Sequence, residues 1–307
     1  MGSDRIRDGL LLVQAGRLHF LVAGFLLYVI GALFAVRMGA VLEMQTFLLG
    51  YLICGTAHLS VSYSNDYYDR LTDDPAIQTR FSGGSGVLPV NPHLAGPVFW
   101  TAAILSLFSI GFTLLLVLIA GFPAFLIAFV AAGITLGWIY SAPPVRLTAR
   151  GLGEVATMAA FGIFLPGGGY LFTALQLAPE MLWLMIPLFF LGLFFIVSVE
   201  LPDFRNDAAT GKKTLVVRAG RKQALRIAAL GAAATTFAFC ILAVSGPDSG
   251  QFFTVAAFAS GVPLLFGIAA VHLAKRDGFQ IEKITEWNMR SLILFLCILT
   301  GYLVVWP

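Results

Sequence analysis

Apolar residues run along this chain in stretches of about 17–25, the length a helix needs to cross a hydrocarbon core of about 30 Å. Nine such runs can be counted, at about 18–36, 42–64, 95–120, 122–140, 151–177, 181–201, 223–245, 251–274 and 287–306. Only helices or closed barrels satisfy the backbone in lipid, and a barrel needs short alternating segments instead. The pattern therefore predicts an all-α polytopic membrane protein with nine transmembrane helices. The shortest connection falls at Gly121-Phe122-Pro123, where a proline just inside a helix start supports the break.

Composition agrees with the pattern. Of 307 residues, 59% are hydrophobic and 11% charged, against roughly 25% charged in an ordinary globular chain. That excludes a soluble globular protein, a disordered chain and a coiled coil. Cys54, Cys240 and Cys297 lie far apart in apolar runs and are expected to pack rather than pair. Residues 1–17 read as a polar lead, and the first apolar run, about 18–36, lacks a small-residue cleavage pattern, so no removable signal peptide is expected.

The net charge of +3 says little, but the distribution of charge says more. With nine spans, 18 of the 19 lysines and arginines fall on the side of the N-terminus, and only Arg37 falls on the other. The positive-inside bias then puts the N-terminus and the long loops 65–94, 141–150, 202–222 and 275–286 in the cytoplasm, with the C-terminus outside. Membrane lipids are an expected partner and nucleic acid is not.

Seven of the sixteen acidic residues crowd into two short stretches. Asp66, Asp69, Asp73 and Asp74 follow the second span, and Glu200, Asp203 and Asp207 follow the sixth. Asp66, Asp69 and Asp73 are spaced i, i+3, i+7, as are Glu200, Asp203 and Asp207. On a helix each trio falls within about 60° of one face. Asp74 points elsewhere. Acids in a membrane helix cost about 2.5–3.5 kcal/mol each at its centre, and like charges on one face repel. A pair of hard divalent cations resolves six such carboxylates, because magnesium takes one or two and fills its octahedron with water and phosphate oxygens.

Arg70 and Arg80 accompany the first cluster, Arg146 follows the fourth span, and Lys212 and Lys213 follow the second cluster. Metal ligands and cationic side chains together suit a diphosphate. Gly83-Gly84-Ser85-Gly86 can wrap a phosphate with backbone N–H groups or hinge a lid. His19, His58, His93 and His272 share no ligand spacing, and His58 is expected to pack inside its span.

Asn65 to Asp73 reads NDYYDRLTD, and Asp203 to Asp207 reads DFRND. These resemble the NDxxDxxxD and DxxxD motifs of the UbiA superfamily of intramembrane prenyltransferases. Tyr140 to Leu147, YSAPPVRL, and the following Gly151-Leu152-Gly153-Glu154 also resemble that family. Gly211 to Arg218, GKKTLVVR, is similar to a run in its menaquinone-pathway branch, whose members act on 1,4-dihydroxy-2-naphthoate. The resemblance spans the chain as a single domain, residues 1–307. It implies helices around a central cavity capped by cytoplasmic loops, and two Mg2+ ions bridging a polyprenyl diphosphate to Asn65, Asp66, Asp69, Asp73, Asp203 and Asp207. It implies diphosphate contacts from Arg70, Arg80, Arg146, Lys212 and Lys213, and catalytic parts for Asp66, Asp69, Asp203 and Tyr140. Glu200 goes beyond the family pattern; it is expected to act as a base on the acceptor's hydroxyl, with a further metal contact or a neutral acid satisfying the backbone freed by Pro202 as the alternatives. An electron-rich acceptor, usually aromatic and of the quinone-precursor kind, attacks the allylic cation. The chain departs from the menaquinone pattern at Glu200, where a neutral amide is usual, and at Pro202, where arginine is. Pro202 is expected to kink or end the sixth helix.

Alternatives are a cyclase that quenches the cation internally, a prenyltransferase with a non-aromatic lipid acceptor, and a cation-coupled transporter. Transporter sites lie near the bilayer midplane, whereas these acids lie at the ends of their spans.

Overall fold

The computed structural model describes residues 2–73, 84–245, 251–274 and 280–306. Asp74, Arg80 and Gly83 lie outside the described residues. The first helix, α1 (Gly2–Ala15), occupies what the sequence reads as a polar lead. Its Ile6, Leu10 and Val13, on one face, are exposed, the pattern of a helix lying in a membrane surface. Its other side is tied to the bundle, where Tyr63 Oη donates to Leu12 O at 3.0 Å and Gln14 Nε2 donates to Ser85 O at 3.2 Å.

The spans follow in the expected order. They are α2 (His19–Arg37), α3 (Met44–Asp69), α4 (Ala95–Ala120), α5 (Phe125–Ser141), α6 (Gly153–Ala174) and α7 (Met181–Glu200). Two short helices intervene, α8 (Phe204–Ala209) and α9 (Leu215–Ala219). The last spans are α10 (Arg221–Ser245), α11 (Gln251–Leu273) and α12 (Ile281–Val305). Among the described residues eight helices are long and apolar enough to cross a membrane, and α5, shorter and equally apolar, is the ninth of the predicted set. The protein is an integral membrane protein of helical, multi-span architecture.

Contacts run from α3 to α4 and α5, from α7 to α10, from α10 to α11, and from α11 to α12, which returns to α2. Inside this ring lies α6, against α2, α3, α5 and α7. Glycines set that approach. A Cβ on Gly31 of α2 would sit 1.8 Å from Pro166 O, and one on Gly169 of α6 would sit 1.8 Å from Tyr28 O. The two backbones therefore touch, and only glycine fits. Upstream of this contact, Ala160–Phe164 winds as a π-turn. Such turns re-aim side chains within a helix, and here Ala160, Phe161 and Phe164 face a cavity.

The two acidic stretches differ in how far the helix carries them. Helix α3 runs five residues past the apolar run, so Asn65, Asp66 and Asp69 are helical. Asp73 follows in a turn whose Asp73 N donates to Asp69 O at 2.9 Å, which keeps it near the same face. The second stretch is broken. Helix α7 stops at Glu200, Pro202 sits in the turn, and Asp203 caps α8. Glu200, Asp203 and Asp207 do not share one straight helix, so their single-face reading is corrected. The break follows from Pro202, which cannot donate to the helical ladder.

Candidate active site

A cavity of about 340 Å³ lies between α2, α3, α5, α6 and α7. Its deeper wall is apolar, with Phe20, Ala57, Phe129, Ile134, Phe161, Phe164 and Leu165. Cys54 and His58 also line it, so His58 faces the cavity rather than only packing. The floor is the region where α6 meets α2 and α3. A Cβ on Gly168 would sit 2.7 Å from Cys54 Sγ, and the next residue, Gly169, makes the backbone contact with Tyr28.

The head of the cavity is polar. Asn65, Asp66, Asp69 and Asp73 come to it from α3, and Asp203 and Asp207 from the far side of the ring. Both stretches thus meet in one place, although 130 or more positions separate their aspartates in sequence. Asn206 Nδ2 also donates to Thr72 O at 2.8 Å and fastens one stretch to the other. Lys212 stands between them. Its Nζ lies 3.2 Å from Asp69 Oδ2, 3.7 Å from Asp207 Oδ1 and 3.9 Å from Asp73 Oδ1. Burial acts to lower the Lys212 pKa, but Asp69, Asp207 and Asp73 outweigh it and raise it above the usual lysine value. Burial pushes the Asp73 carboxyl up to about 7 and Asp207 up to about 6, against the pull of Lys212.

Arg17, in the turn between α1 and α2, is a second cation at the head. Burial lowers its pKa, and Asp66, Asp73 and Asp203 oppose that. Its backbone is left-handed, with φ 49°, which turns the chain from the surface helix into the first span. The sequence reading placed Arg17 only in the general positive bias, because nothing local separates it from Arg5 and Arg7.

Four further residues play parts that the sequence reading did not give them. Ser85 gives both its N–H and its hydroxyl to Asp66, each at 2.7 Å. Gly84, with φ 68°, lies so close that a Cβ would sit 2.0 Å from Asp73 Oδ2. The described part of the glycine-rich loop is therefore a seat for the first acidic cluster, which neither the phosphate-wrap nor the hinge reading foresaw. Glu154, buried at the start of α6, accepts the N–H of Leu215 and so fixes the loop that carries Lys212. Thr157, one turn along α6, faces the cavity beside Tyr140.

Among the described residues, the other expected diphosphate contacts stand elsewhere. Arg70 folds back on α3, with Nη1 donating to Tyr67 O at 2.5 Å and its guanidinium 4.1 Å from the Tyr67 ring centre. Arg146 and Lys213 are not among the residues lining the cavity. Lys213 is exposed, and Arg150 rather than Arg146 holds the Pro144 carbonyl, at 2.9 Å. Glu200 and Tyr140 both line the cavity.

The donor set suits a hard cation. Asn65 Oδ1 and Asp69 Oδ1 are buried with no hydrogen-bond partner among the described residues, an arrangement that costs free energy unless something binds there. Among the described residues no three acidic, histidine or cysteine side chains gather in metal-ligand geometry. Magnesium does not need that, since it keeps water and substrate phosphates as ligands beside one or two carboxylates. Chemically, the arrangement can hold a multiply charged anion through cations at the mouth of an apolar channel.

Comparison with solved structures finds the same fold. A UbiA homolog from Archaeoglobus fulgidus bound to DMAPP and Mg2+ matches with a TM-score of 0.66 at 16% identity, over 95% of this chain and 99% of that one. The same homolog bound to GPP and Mg2+ matches at 0.64 and 15%, again over 95% and 99%. A UbiA homolog from Aeropyrum pernix K1 in its apo form matches at 0.64 and 13%, over 94% and 98%. Comparison with curated protein sequences finds no match. The family model described as the UbiA prenyltransferase family matches residues 24–288. With both acidic stretches and Lys212 inside that span, this chain belongs to the UbiA prenyltransferase family.

Proposed function

We propose that the protein transfers a polyprenyl group, within the membrane and with Mg2+, from a polyprenyl diphosphate to an aromatic acceptor of the quinone-precursor kind. The observation that carries this reading is the meeting of two aspartate clusters around Lys212 at the head of an apolar cavity. The whole chain acts as one catalytic domain. The N-terminus and the acidic loops face the cytoplasm, and the C-terminus lies outside, as the lysine and arginine asymmetry indicates.

Asn65, Asp66, Asp69 and Asp73 on one side, and Asp203 and Asp207 on the other, would hold the metal. Bound there, Mg2+ neutralises the diphosphate and stabilises it as a leaving group. Lys212 and Arg17 take further phosphate oxygens by charge-assisted hydrogen bonds. Ser85 orients Asp66, as partners of metal ligands commonly do. The isoprenoid tail lies along Phe20, Phe129, Phe161 and Phe164. The faces of these rings favour a cation near the allylic end. The apolar wall excludes water, which keeps that cation for the acceptor.

The test is an incubation of purified protein in lipid with labelled geranylgeranyl diphosphate and a panel of aromatic acceptors, with Mg2+ or with EDTA. Prenylated aromatic product that needs Mg2+ is expected. Cyclised hydrocarbon from the diphosphate alone, or transfer only to a non-aromatic lipid, would replace the aromatic reading. Turnover in EDTA would remove the metal site.

A further inference from the structure

Helix α1 carries two apolar faces, and the bundle covers only one of them. On the inner side Leu11, Leu12 and Ala15 pack against Tyr63 of α3 and against Val98 and Ala102 of α4. On the outer side Ile6, Leu10 and Val13 are 69%, 68% and 51% exposed. At 100° per residue these three fall within about 60° of one another. Arg5 and Arg7, both exposed, stand about 100° from Ile6, one on either side. Asp4 and Asp8 stand about 160° from it, on the inner side, where Asp8 Oδ1 meets His93 Nε2 at 3.3 Å. The acids are thus turned away, and two arginines flank the open apolar strip.

Depth decides what that strip faces. Tyr63 lies six residues before the end of α3, and Val98 and Ala102 lie three and seven residues inside α4. Those are axial distances of about 5–10 Å, close to the thickness of one headgroup layer, roughly 5–8 Å. Helix α1 therefore lies beside the spans, where headgroups meet acyl chains, and not on top of them. A face turned away from the bundle at that depth looks into lipid. Leu18, Val22 and Phe25, exposed at the start of α2, extend the strip into the span. Arginines beside such a face lay their stems along it and reach the headgroups.

The same helix ends on the site. Gln14 Nε2 donates to Ser85 O at 3.2 Å, and Ser85 holds Asp66 by two hydrogen bonds. Arg17, three residues on, lines the head of the cavity. We propose that α1 is an anionic-lipid arm. Its strip sinks into the leaflet at the acidic end of the spans, Arg5 and Arg7 sit on anionic headgroups, and docking holds Gln14 and Arg17 against the site. The docking rests on the geometry of α1; its effect on the site rests on the prenyl-transfer reading.

The test compares nanodiscs of phosphatidylcholine with nanodiscs rich in phosphatidylglycerol, each holding one copy of the protein. Hydrogen exchange of the amides of residues 4–14 reads docking. Two arginines at an anionic surface favour it by roughly thirtyfold, and exchange is expected to slow by about tenfold or more in the anionic discs. Arg5→Gln with Arg7→Gln is expected to erase the difference between the lipids, and Leu10→Ser to speed exchange in both. Titration of a geranyl thiodiphosphate with Mg2+ in the same discs reads the coupling. The ratio of affinities in the two lipids is compared between variants, so that the general effect of surface charge cancels. Wild type is expected to gain about threefold or more from anionic lipid relative to Gln14→Ala, whose arm still docks. All four substituted positions are exposed, so the variants keep the fold. Equal exchange in the two lipids overturns the proposal, as does a difference that survives Arg5→Gln with Arg7→Gln. Protection that appears only in discs holding two copies overturns it too and gives the strip to a second copy. An identical affinity ratio in wild type and Gln14→Ala overturns the link to the site. Failure of the thiodiphosphate to bind with Mg2+ in either lipid strikes the prenyl-transfer reading instead, while the exchange measurement still decides the docking.

Discussion

Replacing Lys212 by methionine removes the cation that three carboxylates share while keeping the length of the side chain. Its side chain is 11% exposed, so water does little to screen the change. Losing one partner of a buried ion pair typically costs about 3–5 kcal/mol. For a chain of this size that corresponds to a fall in Tm of roughly 5–8 °C in metal-free detergent solution. The cost must depend on pH. Asp73 and Asp207 titrate at about 7 and about 6, above the ordinary aspartate value of 3.8. Between those limits the folded state binds more protons than the unfolded one. Stability therefore falls as pH rises through that window. Without Lys212 both carboxyls are pushed higher still, since its attraction is the influence that lowers them most. Lys212→Met should thus be strongly destabilised at pH 8 and nearly as stable as wild type at pH 5, where these two acids are protonated. Millimolar Mg2+ at pH 8 should return part of the loss. Thermal unfolding followed by intrinsic fluorescence, at both pH values with Mg2+ or EDTA, reads all of this. An equal drop at pH 5 and pH 8 would refute the electrostatic account, and no drop at pH 8 would refute the bridging geometry.

Three other outcomes are expected. In wild type without metal, Tm should decline from pH 5 to pH 8 while Mg2+ affinity rises, because the ligands must lose protons to bind it; a flat profile in both would count against the raised Asp73 and Asp207 values. Ser85→Ala removes the hydroxyl hydrogen bond to Asp66 and keeps the backbone one, and should weaken Mg2+ binding by about tenfold, measured as the Mg2+ dependence of prenyl diphosphate binding; unchanged dependence would reduce the Ser85 hydroxyl to a loop contact. Gly31→Ala should lower Tm sharply or prevent insertion, since its Cβ meets the Pro166 carbonyl, whereas Gly111→Ala, with nothing within 4 Å, should be neutral or slightly stabilising; similar behaviour of the two would mean that α2 and α6 are not in backbone contact.

The spans were legible because length and apolarity alone define them, whatever the order of residues within. The acidic clusters were legible for the opposite reason, since each such charge is expensive near lipid and six together demand an explanation. The continuity of a face was less legible. Spacing made Glu200, Asp203 and Asp207 look like one helix, and Pro202 breaks them into two. Residues that act through tertiary contact left no local signal. Ser85 reaches Asp66 from 19 positions away, Glu154 reaches Leu215 across 61, and Arg17 meets aspartates from both stretches. The π-turn at Ala160–Phe164 was equally hidden, for its sequence is ordinary apolar helix until Pro166.

The backbone contact of α2 with α6 has a consequence for the membrane as a barrier. A cavity holding carboxylates, an ammonium and a guanidinium is wet at its mouth whenever substrate is absent. If that water continued past Cys54 to the opposite face, each enzyme molecule would carry protons down the transmembrane gradient. The carbonyls of Tyr28 and Pro166 lie where any Cβ at Gly169 or Gly31 would have to go, so there is no room for a file of water between the helices. The glycines at this crossing thus act as electrical insulation. They let the membrane host ionic chemistry on one side without short-circuiting the potential that the cell stores across it.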